Sequence, residues 1–328
     1  MSRSTRQLLE VEGRRVNFSN LDKTFWPAAG YTKADLISYL LAVSPVLLPH
    51  LARRPLVVTR YPEGIEGPTF YQKNLPAHAP EWITTYPYYA PHADRVIQFV
   101  VCREPATLAW LAQEGAIELH PWLSSVETPE YPDFAIFDLD PSPPATFRDV
   151  VEVAFWVKNV LREMGLEAFP KTSGATGLHL YVPIENRYPY PTVAGWVGDV
   201  ADLIHQTFPG RTTRERRVAR RLGVYIDHLQ NVMGKTIASV YSPRPQPLGT
   251  VSTPVTWEEL PFVHPTSFTI SNVPDRTRRV GDLFAPVLDY RQKLDGALSV
   301  FGRAAPPSTA HQARGAAQPS SSVQQTTS

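Results

Sequence analysis

The segment that most constrains the fold is the apolar run 134–139 (FAIFDL), which ends beside two carboxylates. Its apolar composition predicts a strand, and the prolines that follow at 141, 143 and 144 end it. Residues two apart in a strand point to the same face, so Asp138 and Asp140 face one way while Leu139 anchors the other side. Carboxylates held this close repel each other unless a cation lies between them.

The chain around this strand alternates apolar strand-like and helix-like segments. The pattern predicts further strands at 56–60, 95–102, 178–184, 224–229 and 236–241. It predicts helices from the N-cap Thr32 through Leu41, over 146–164 with a stop at Gly165, and over about 192–208. The fold class is therefore mixed α/β or α+β, with a central sheet that carries the polar residues.

Composition limits the domain organisation and the location. The 328 residues are 43% hydrophobic, and residues 303–328 are mostly Ala, Pro, Ser, Gln and Thr. We expect one ordered domain over 1–302 and a disordered tail over 303–328, because the tail cannot bury enough surface to offset its ordering entropy. The single cysteine, Cys102, excludes an internal disulfide and a cysteine-rich zinc site.

The ends and the charge indicate a soluble cytoplasmic protein. The N-terminus has no apolar run of the signal-peptide type, and we expect no stretch of the roughly 18 to 20 apolar residues that a membrane span needs. The formal net charge is only +1, so any DNA-binding surface must be a local patch.

Asp227 interrupts another apolar strand, 224–229 (VYIDHL). With Asp138 and Asp140 it forms an oxygen-only ligand set that suits Mg²⁺ or Mn²⁺. A pair of such ions can stabilise the attacking and leaving oxygens of a phosphoryl transfer. The alternatives are that the D-L-D triplet is a turn or cap and that Asp227 is an edge or turn residue.

The segment 171–179 (KTSGATGLH) joins two predicted strands. Gly174 and Gly177 permit positive φ and a close backbone approach to an anion, while Ser173 and His179 can donate to a triphosphate. The segment is not a P-loop, since it lacks G-K-[ST] and no helix follows. The alternatives are a plain hairpin turn and a hydrogen-bonded strand histidine.

Cations follow in the sequence. Lys235 and Arg244 lie near predicted strand ends, and each could equally be solvated. The segment 211–221 (RTTRERRVARR) contains six arginines. On a helix, its arginines at 214, 217 and 221 would share a face able to follow a DNA backbone, the alternatives being a solvated basic helix and a mobile loop that orders on DNA.

Taken in order, D-L-D-P, S-G-x-x-G-L-H and an apolar strand with D before L-Q-N and G-K-T resemble one known family. They resemble the polymerase domain of bacterial ATP-dependent DNA ligase D, a branch of the archaeo-eukaryotic primase superfamily. The resemblance runs from about Val16 to Leu294. It includes the blocks NLDK at 20–23, GYTK at 30–33, FYQKN at 70–74, ELHPW at 118–122 and VSTP at 251–254.

The resemblance implies a primase-polymerase core and a role for each matching residue. Metal ligands would be Asp138, Asp140 and Asp227, and the nucleotide site would comprise His120, Ser173, Gly174, His179, Lys235 and Arg244. A pocket for a downstream 5′-phosphate would comprise Asn20, Lys23 and Lys33, and template contacts would come from Phe70, Tyr71 and Arg220. The alternative for the aromatic pair is core packing. Ala175 and Thr176 stand where members of this family often carry a lysine.

The resemblance also implies a function. The chain would fill gaps and extend 3′ ends at double-strand breaks in non-homologous end joining, using two Mn²⁺ or Mg²⁺ ions and preferring ribonucleoside triphosphates. Its partners would be 5′-phosphorylated DNA, Ku and a separate or fused DNA ligase, at the nucleoid. Alternative functions are a primase that starts chains de novo, a non-catalytic DNA-end-bridging module and, last, a metal-dependent phosphoesterase.

Overall fold

The computed structural model describes residues 6–306, apart from the side chain of His92. Its strands are β1 (Gln7–Val11), β2 (Arg14–Phe18), β3 (Thr24–Trp26), β4 (Tyr31–Thr32), β5 (Leu56–Arg60), β6 (Phe70–Gln72), β7 (Thr85–Ala90), β8 (Arg95–Val100), β9 (Ala116–Pro121), β10 (Phe134–Ser142), β11 (Phe169–Thr172), β12 (Leu178–Pro183), β13 (Thr212–Thr213) and β14 (Gly223–Asp227). Its α-helices are α1 (Lys33–Leu51), α2 (Pro105–Gln113), α3 (Phe147–Glu163), α4 (Tyr190–Thr207), α5 (Val273–Val280), α6 (Pro286–Asp289) and α7 (Asp295–Val300).

One five-stranded sheet has the strand order β11-β12-β10-β14-β13. All its pairings are antiparallel except that of β13 with β14. Helices α3 and α4 pack against β10 at its centre. Phe137 and Leu139 are fully buried there, and burial of such side chains stabilises the fold by roughly 1.5–3 kcal/mol each.

Helix α3 shows why the local predictions succeed. Thr146 and Asp149 form a reciprocal capping box at its start, and Gly165 follows its end with a φ of 72°. Its buried positions, Val150, Val153, Ala154, Val157 and Leu161, recur at helical spacing and form one face.

A second sheet has the order β6-β5-β8-β7, with β9 also paired to β5. The irregular segment 236–244 joins the two sheets. In it, Ser239 N donates to Leu119 O of β9 at 2.8 Å, and Tyr241 N donates to Ser252 O at 2.7 Å. The predicted strand 236–241 is therefore wrong. Its backbone groups bond to scattered partners, and Tyr241 has a φ of 61°, which a regular ladder does not accommodate.

Helix α1 corrects a second expectation. It has 19 residues with a mean hydropathy of 1.5, so by length and composition alone it could cross a membrane. Half of this stretch is buried in the protein, where Leu36, Leu40, Val43, Leu47 and Leu51 contribute to the core. A core helix passes the same test, so its apolarity is explained by packing.

The other predicted strands and the helices α3 and α4 are confirmed to within two or three residues, β5 without any shift. Helix α1 begins after its predicted cap Thr32 but continues to Leu51, ten residues beyond Leu41. The helix considered for 211–221 is wrong. Thr212 and Thr213 instead pair with β14, and beyond them only Val218–Arg220 forms a short 3₁₀ turn. Of the predicted tail, Arg303 pairs with Asp199, while residues 307–328 lie outside the described part of the chain.

Candidate active site

The three acidic residues lie on neighbouring strands of the sheet that contains β10. Asp138 on β10 lies directly opposite Asp227 on β14 and opposite His179 on β12. Asp140, two residues further along β10, lies opposite Tyr225. Because all three strands are antiparallel neighbours, residues far apart in sequence face each other at one position of the sheet.

Burial and mutual repulsion dominate the electrostatics of this position. Burial, followed by the charges of Asp140 and Asp227, raises the pKa of Asp138 well above its ordinary value. Burial and the charge of Asp227 also raise the pKa of Asp140. Asp138 Oδ1 is buried without a hydrogen bond in the described residues, although His179 Nε2 lies 3.3 Å away in a poor orientation.

These features fit a divalent cation. In residues 6–306 no three His, Cys, Asp or Glu side chains are arranged so that they could hold a metal ion as they stand. A cation would relieve both the unpartnered buried oxygen of Asp138 and the repulsion that helps to raise the pKa of Asp138 and Asp140. Mg²⁺ sites commonly combine one or two carboxylates with phosphate oxygens and water.

The loop 173–177 is a tight hairpin between β11 and β12. Ser173 Oγ accepts hydrogen bonds from Ala175 N at 3.1 Å and Gly177 N at 3.0 Å, and Ser173 N donates to Gly177 O. Gly174 has a φ of 71°, and a Cβ on Gly177 would lie 2.3 Å from Leu139 O. The segment is therefore a hairpin turn, and Gly177 lets it lie directly against β10.

Arg244 and Glu118 connect this loop to the second sheet. Arg244 Nε donates to Glu118 Oε1 at 2.9 Å, and Arg244 Nη1 donates to Ser173 O at 2.7 Å. Burial opposes ionisation of Glu118, but the His120 ring, the Arg244 guanidinium and the Tyr61 hydroxyl outweigh it and lower the pKa of Glu118 to about 2. Arg244 is thus held at the loop by an ionised carboxylate instead of being solvated.

The exposed aromatic pair lies close to this network. Phe70 and Tyr71 on β6 are 54% and 56% exposed, which argues against core packing. The Tyr71 ring is 6.3 Å from that of His120, and its hydroxyl is 2.9 Å from Thr236 Oγ1. Lys235 is exposed in the adjoining turn.

The basic segment is divided between two environments. Arg214 pairs with Asp202 at 2.6 Å, and the Arg221 guanidinium stacks 3.7 Å above the Tyr225 ring. Both therefore turn towards the protein, whereas Arg220 is exposed at the end of its 3₁₀ turn.

Lys23 and Lys33 lie together at the start of α1. Lys33 N donates to Lys23 O at 2.8 Å, and Asn20, with a φ of 53°, accepts from Lys23 N. Burial and the neighbouring charge of Lys23 lower the pKa of Lys33. Lys23 Nζ contacts Glu63 at 2.8 Å, so a phosphate there would compete with that carboxylate.

Two residues with clear contacts in the site were given no role by the sequence. Lys171 on β11 is fully buried beneath the loop, and burial together with Arg244 lowers its pKa well below the ordinary value. Glu118 on β9 holds Arg244. The sequence signal that could have identified both residues is a charged residue inside an otherwise apolar strand. When such a residue is buried, it requires a polar partner.

With this geometry in place, comparison with known proteins defines the class as a primase-type polymerase. The fold matches the polymerase domain from Mycobacterium tuberculosis ligase D, determined in complex with DNA, with a TM-score of 0.78 and 31% sequence identity. The match covers 85% of this chain and 99% of that domain. A family model for the LigD primase-polymerase domain matches residues 32–284, and the chain belongs to this family.

Longer relatives agree with this assignment. The chain is 34% identical over 291 residues to the bifunctional non-homologous end joining protein LigD of Bacillus subtilis (strain 168), covering 88% of this chain and 46% of that protein. It is 33% identical over 301 residues to the multifunctional non-homologous end joining DNA repair protein LigD of Mycobacterium tuberculosis (strain H37Rv), covering 86% and 39%. The chain therefore spans less than half the length of either relative.

Proposed function

We propose that the chain is a DNA-directed nucleotidyltransferase that fills gaps and extends 3′ ends at double-strand breaks in non-homologous end joining. The observation that carries the proposal is the position of Asp138, which lies between Asp227 and His179 across three adjacent strands. A buried acidic group beside a glycine-containing hairpin suits the transfer of a nucleotide from its triphosphate.

Asp138, Asp140 and Asp227 would hold two divalent cations, Mn²⁺ or Mg²⁺. Bound there, the cations supply neutralisation of phosphate charge and a lower pKa for the attacking 3′-hydroxyl. The register of the sheet holds the carboxylates in place. In addition, Gln230 Nε2 contacts Asp138 Oδ2 at 3.4 Å. Phosphate oxygens of the substrate would complete the ligand set of the cations.

The triphosphate would lie over the loop 173–177. Ser173 Oγ accepts two backbone hydrogen bonds within the loop, so its hydroxyl hydrogen is the part that can donate outwards. The nucleotide contacts would come from Ser173, Gly174, His179, Lys235, Arg244 and His120. In this assignment Arg244 supplies charge, and its pairing with Glu118 holds it in one orientation.

The DNA would cross the second sheet. The exposed rings of Phe70 and Tyr71 can stack on template bases, with Arg220 on the template backbone. Asn20, Lys23 and Lys33 would take the downstream 5′-phosphate. The relatives are named as end-joining proteins, which supports a role of this chain in end joining. In that role its partners would be Ku and a separate or fused DNA ligase, and its location the cytoplasm (nucleoid).

Extension of a 5′-phosphorylated gapped duplex tests the function. We expect primer-dependent extension, faster with Mn²⁺ than with Mg²⁺ and with ribonucleotides than with deoxyribonucleotides. Asp138→Ala with Asp140→Ala should abolish it, while the exposed Glu258→Ala serves as a matched control.

Each alternative function predicts a different result. Product formation without a primer would support de novo priming. Intact end joining with the double variant would support a non-catalytic bridging module, and no product lengthening with any nucleotide would overturn the proposal.

A further inference from the structure

The side chain of Lys171 is fully buried, and its Nζ has three hydrogen-bond partners. Its Nζ lies 2.7 Å from His179 Nδ1, 2.9 Å from Ala238 O and 2.6 Å from Ser252 Oγ. The strand β11 places it opposite His179 in the register of the sheet. A side chain of this length is rarely buried without such partners, so the contacts indicate a specific task.

The directions of these hydrogen bonds follow from their partners. Ala238 O can only accept, and the hydrogen of the Ser252 hydroxyl is directed at Thr172 O, 2.7 Å away. Lys171 therefore donates to both. A protonated Lys171 has three N–H donors and no acceptor, so its third N–H donates to His179 Nδ1.

A histidine whose Nδ1 accepts a hydrogen bond carries its proton on Nε2. In His179, Nε2 is the nitrogen on the Asp138 side, 3.3 Å from Asp138 Oδ1. The ring then presents an N–H donor to the centre of the site, where phosphate oxygens and carboxylates are the acceptors. The opposite tautomer would present a lone pair to those same oxygens.

We propose that Lys171 is a positioning residue that fixes the ring orientation and the Nε2–H tautomer of His179, so that His179 donates to the nucleotide's phosphates. The inference rests on the proposed function for its kinetic consequence. The proposal also explains how the loop 173–177 could bind phosphate without a lysine at Ala175 or Thr176, because Lys171 orients His179 as a phosphate donor.

The tautomer is measured by ¹⁵N NMR on the intact chain, at a pH above the range in which histidine is protonated. His179 is assigned by comparison with His179→Gln. We expect the wild-type ring to carry hydrogen on Nε2, and a hydrogen on Nδ1 would overturn the proposal. This arm requires no activity and no variant at Lys171, so it stands apart from any failure of the proposed polymerase function.

The kinetic arm compares Lys171→Met with wild type in nucleotide incorporation. We expect Lys171→Met to raise the KM for nucleotide about tenfold, since a charge-assisted hydrogen-bond network is lost. The same change in a His179→Ala background should have little further effect, because the two residues act as one unit. Lys293→Met, at an exposed lysine outside the site, is the matched control and should leave the KM within about twofold of wild type.

Two results would contradict the positioning role. Additive effects of Lys171→Met and His179→Ala would show that Lys171 acts independently of the ring. An unchanged KM in a folded Lys171→Met protein would show that His179 needs no such support.

Discussion

Glu118 and Arg244 are 126 positions apart in the sequence, yet Arg244 Nε donates to Glu118 Oε1 at 2.9 Å. The pair connects β9 of the second sheet to the segment that lies over the loop 173–177. Since Arg244 also donates to Ser173 O, the carboxylate fixes a cation at the edge of the proposed triphosphate site.

Glu118→Gln preserves the shape of the side chain and removes its charge. We expect the KM for nucleotide to rise about fivefold to tenfold with a smaller change in kcat, because Arg244 loses its charged partner but stays in place. Steady-state incorporation measures this effect. Glu114→Gln is the matched control, since Glu114 pairs with Arg60 instead. A fall in kcat with constant KM would contradict a role in binding.

The lowered pKa of Glu118 predicts that the free energy of unfolding depends on pH. The pKa of Glu118 is lowered from 4.5 to about 2, so its ionised form is the one that the folded state favours. Its contribution, on the order of 3 kcal/mol, is present above about pH 4.5 and is lost as the pH falls towards 2.

Urea unfolding of wild type and Glu118→Gln between pH 7 and pH 3 measures this contribution. The difference in their free energies of unfolding should shrink below about pH 4.5, because protonation removes the charge from the wild type as well. A difference that stays constant with pH would show that the charge of Glu118 contributes nothing.

Gly177→Ala tests the close approach of the hairpin to β10. The added Cβ would lie 2.3 Å from Leu139 O, a backbone atom that cannot yield cheaply. We expect a loss of about 2 kcal/mol or more in the free energy of unfolding, together with loss of incorporation. Gly210→Ala is the control, because a Cβ there has nothing within 4 Å. Equal stability of the two variants would refute the close approach.

Variants of Glu63 and Lys23 test the proposed 5′-phosphate pocket. Glu63→Gln should tighten binding to gapped DNA with a 5′-phosphate about twofold to fivefold, because it frees Lys23 and removes a repelling carboxylate. Lys23→Ala should weaken it. Fluorescence anisotropy with 5′-phosphate and 5′-hydroxyl duplexes separates the effects. Changes of equal size on both duplexes would argue against a phosphate pocket.

Asp138→Asn tests the conflict between stability and function at the acidic trio. Without divalent cations we expect the variant to be more stable than wild type by about 1 kcal/mol, because a buried charge that is repelled by Asp140 and Asp227 is removed. The variant should not incorporate nucleotides.

Urea unfolding with EDTA and with Mn²⁺ measures the effect. Wild type should gain stability from Mn²⁺ and the variant should gain less, as expected when a ligand binds only the folded state. Asp289→Asn, at an exposed carboxylate, controls for general charge effects. Equal stabilisation of both proteins by Mn²⁺ would place the cation elsewhere.

The sequence by itself determined the local elements and the direction of some side chains. The capping signals at Thr32 and Thr146 located α1 and α3, because a cap depends on residues within one turn. The period of a strand placed Asp138 and Asp140 on one face. Ordered family motifs also led to the polymerase domain, which the fold match confirms.

Only the tertiary structure decided which distant residues meet. Three contacts depend on how the strands and the irregular segment 236–244 pack. They are the register that sets Asp138 opposite Asp227, the pairing of Glu118 with Arg244 and the contact of buried Lys171 with His179. In the segment 236–241, hydrogen bonds to residues far away in the sequence outweigh the local preference for a strand. The segment therefore connects the two sheets instead of pairing in one of them. The physical reason is that propensity and periodicity act over a few residues, whereas the site is assembled by contacts between strands far apart in the chain.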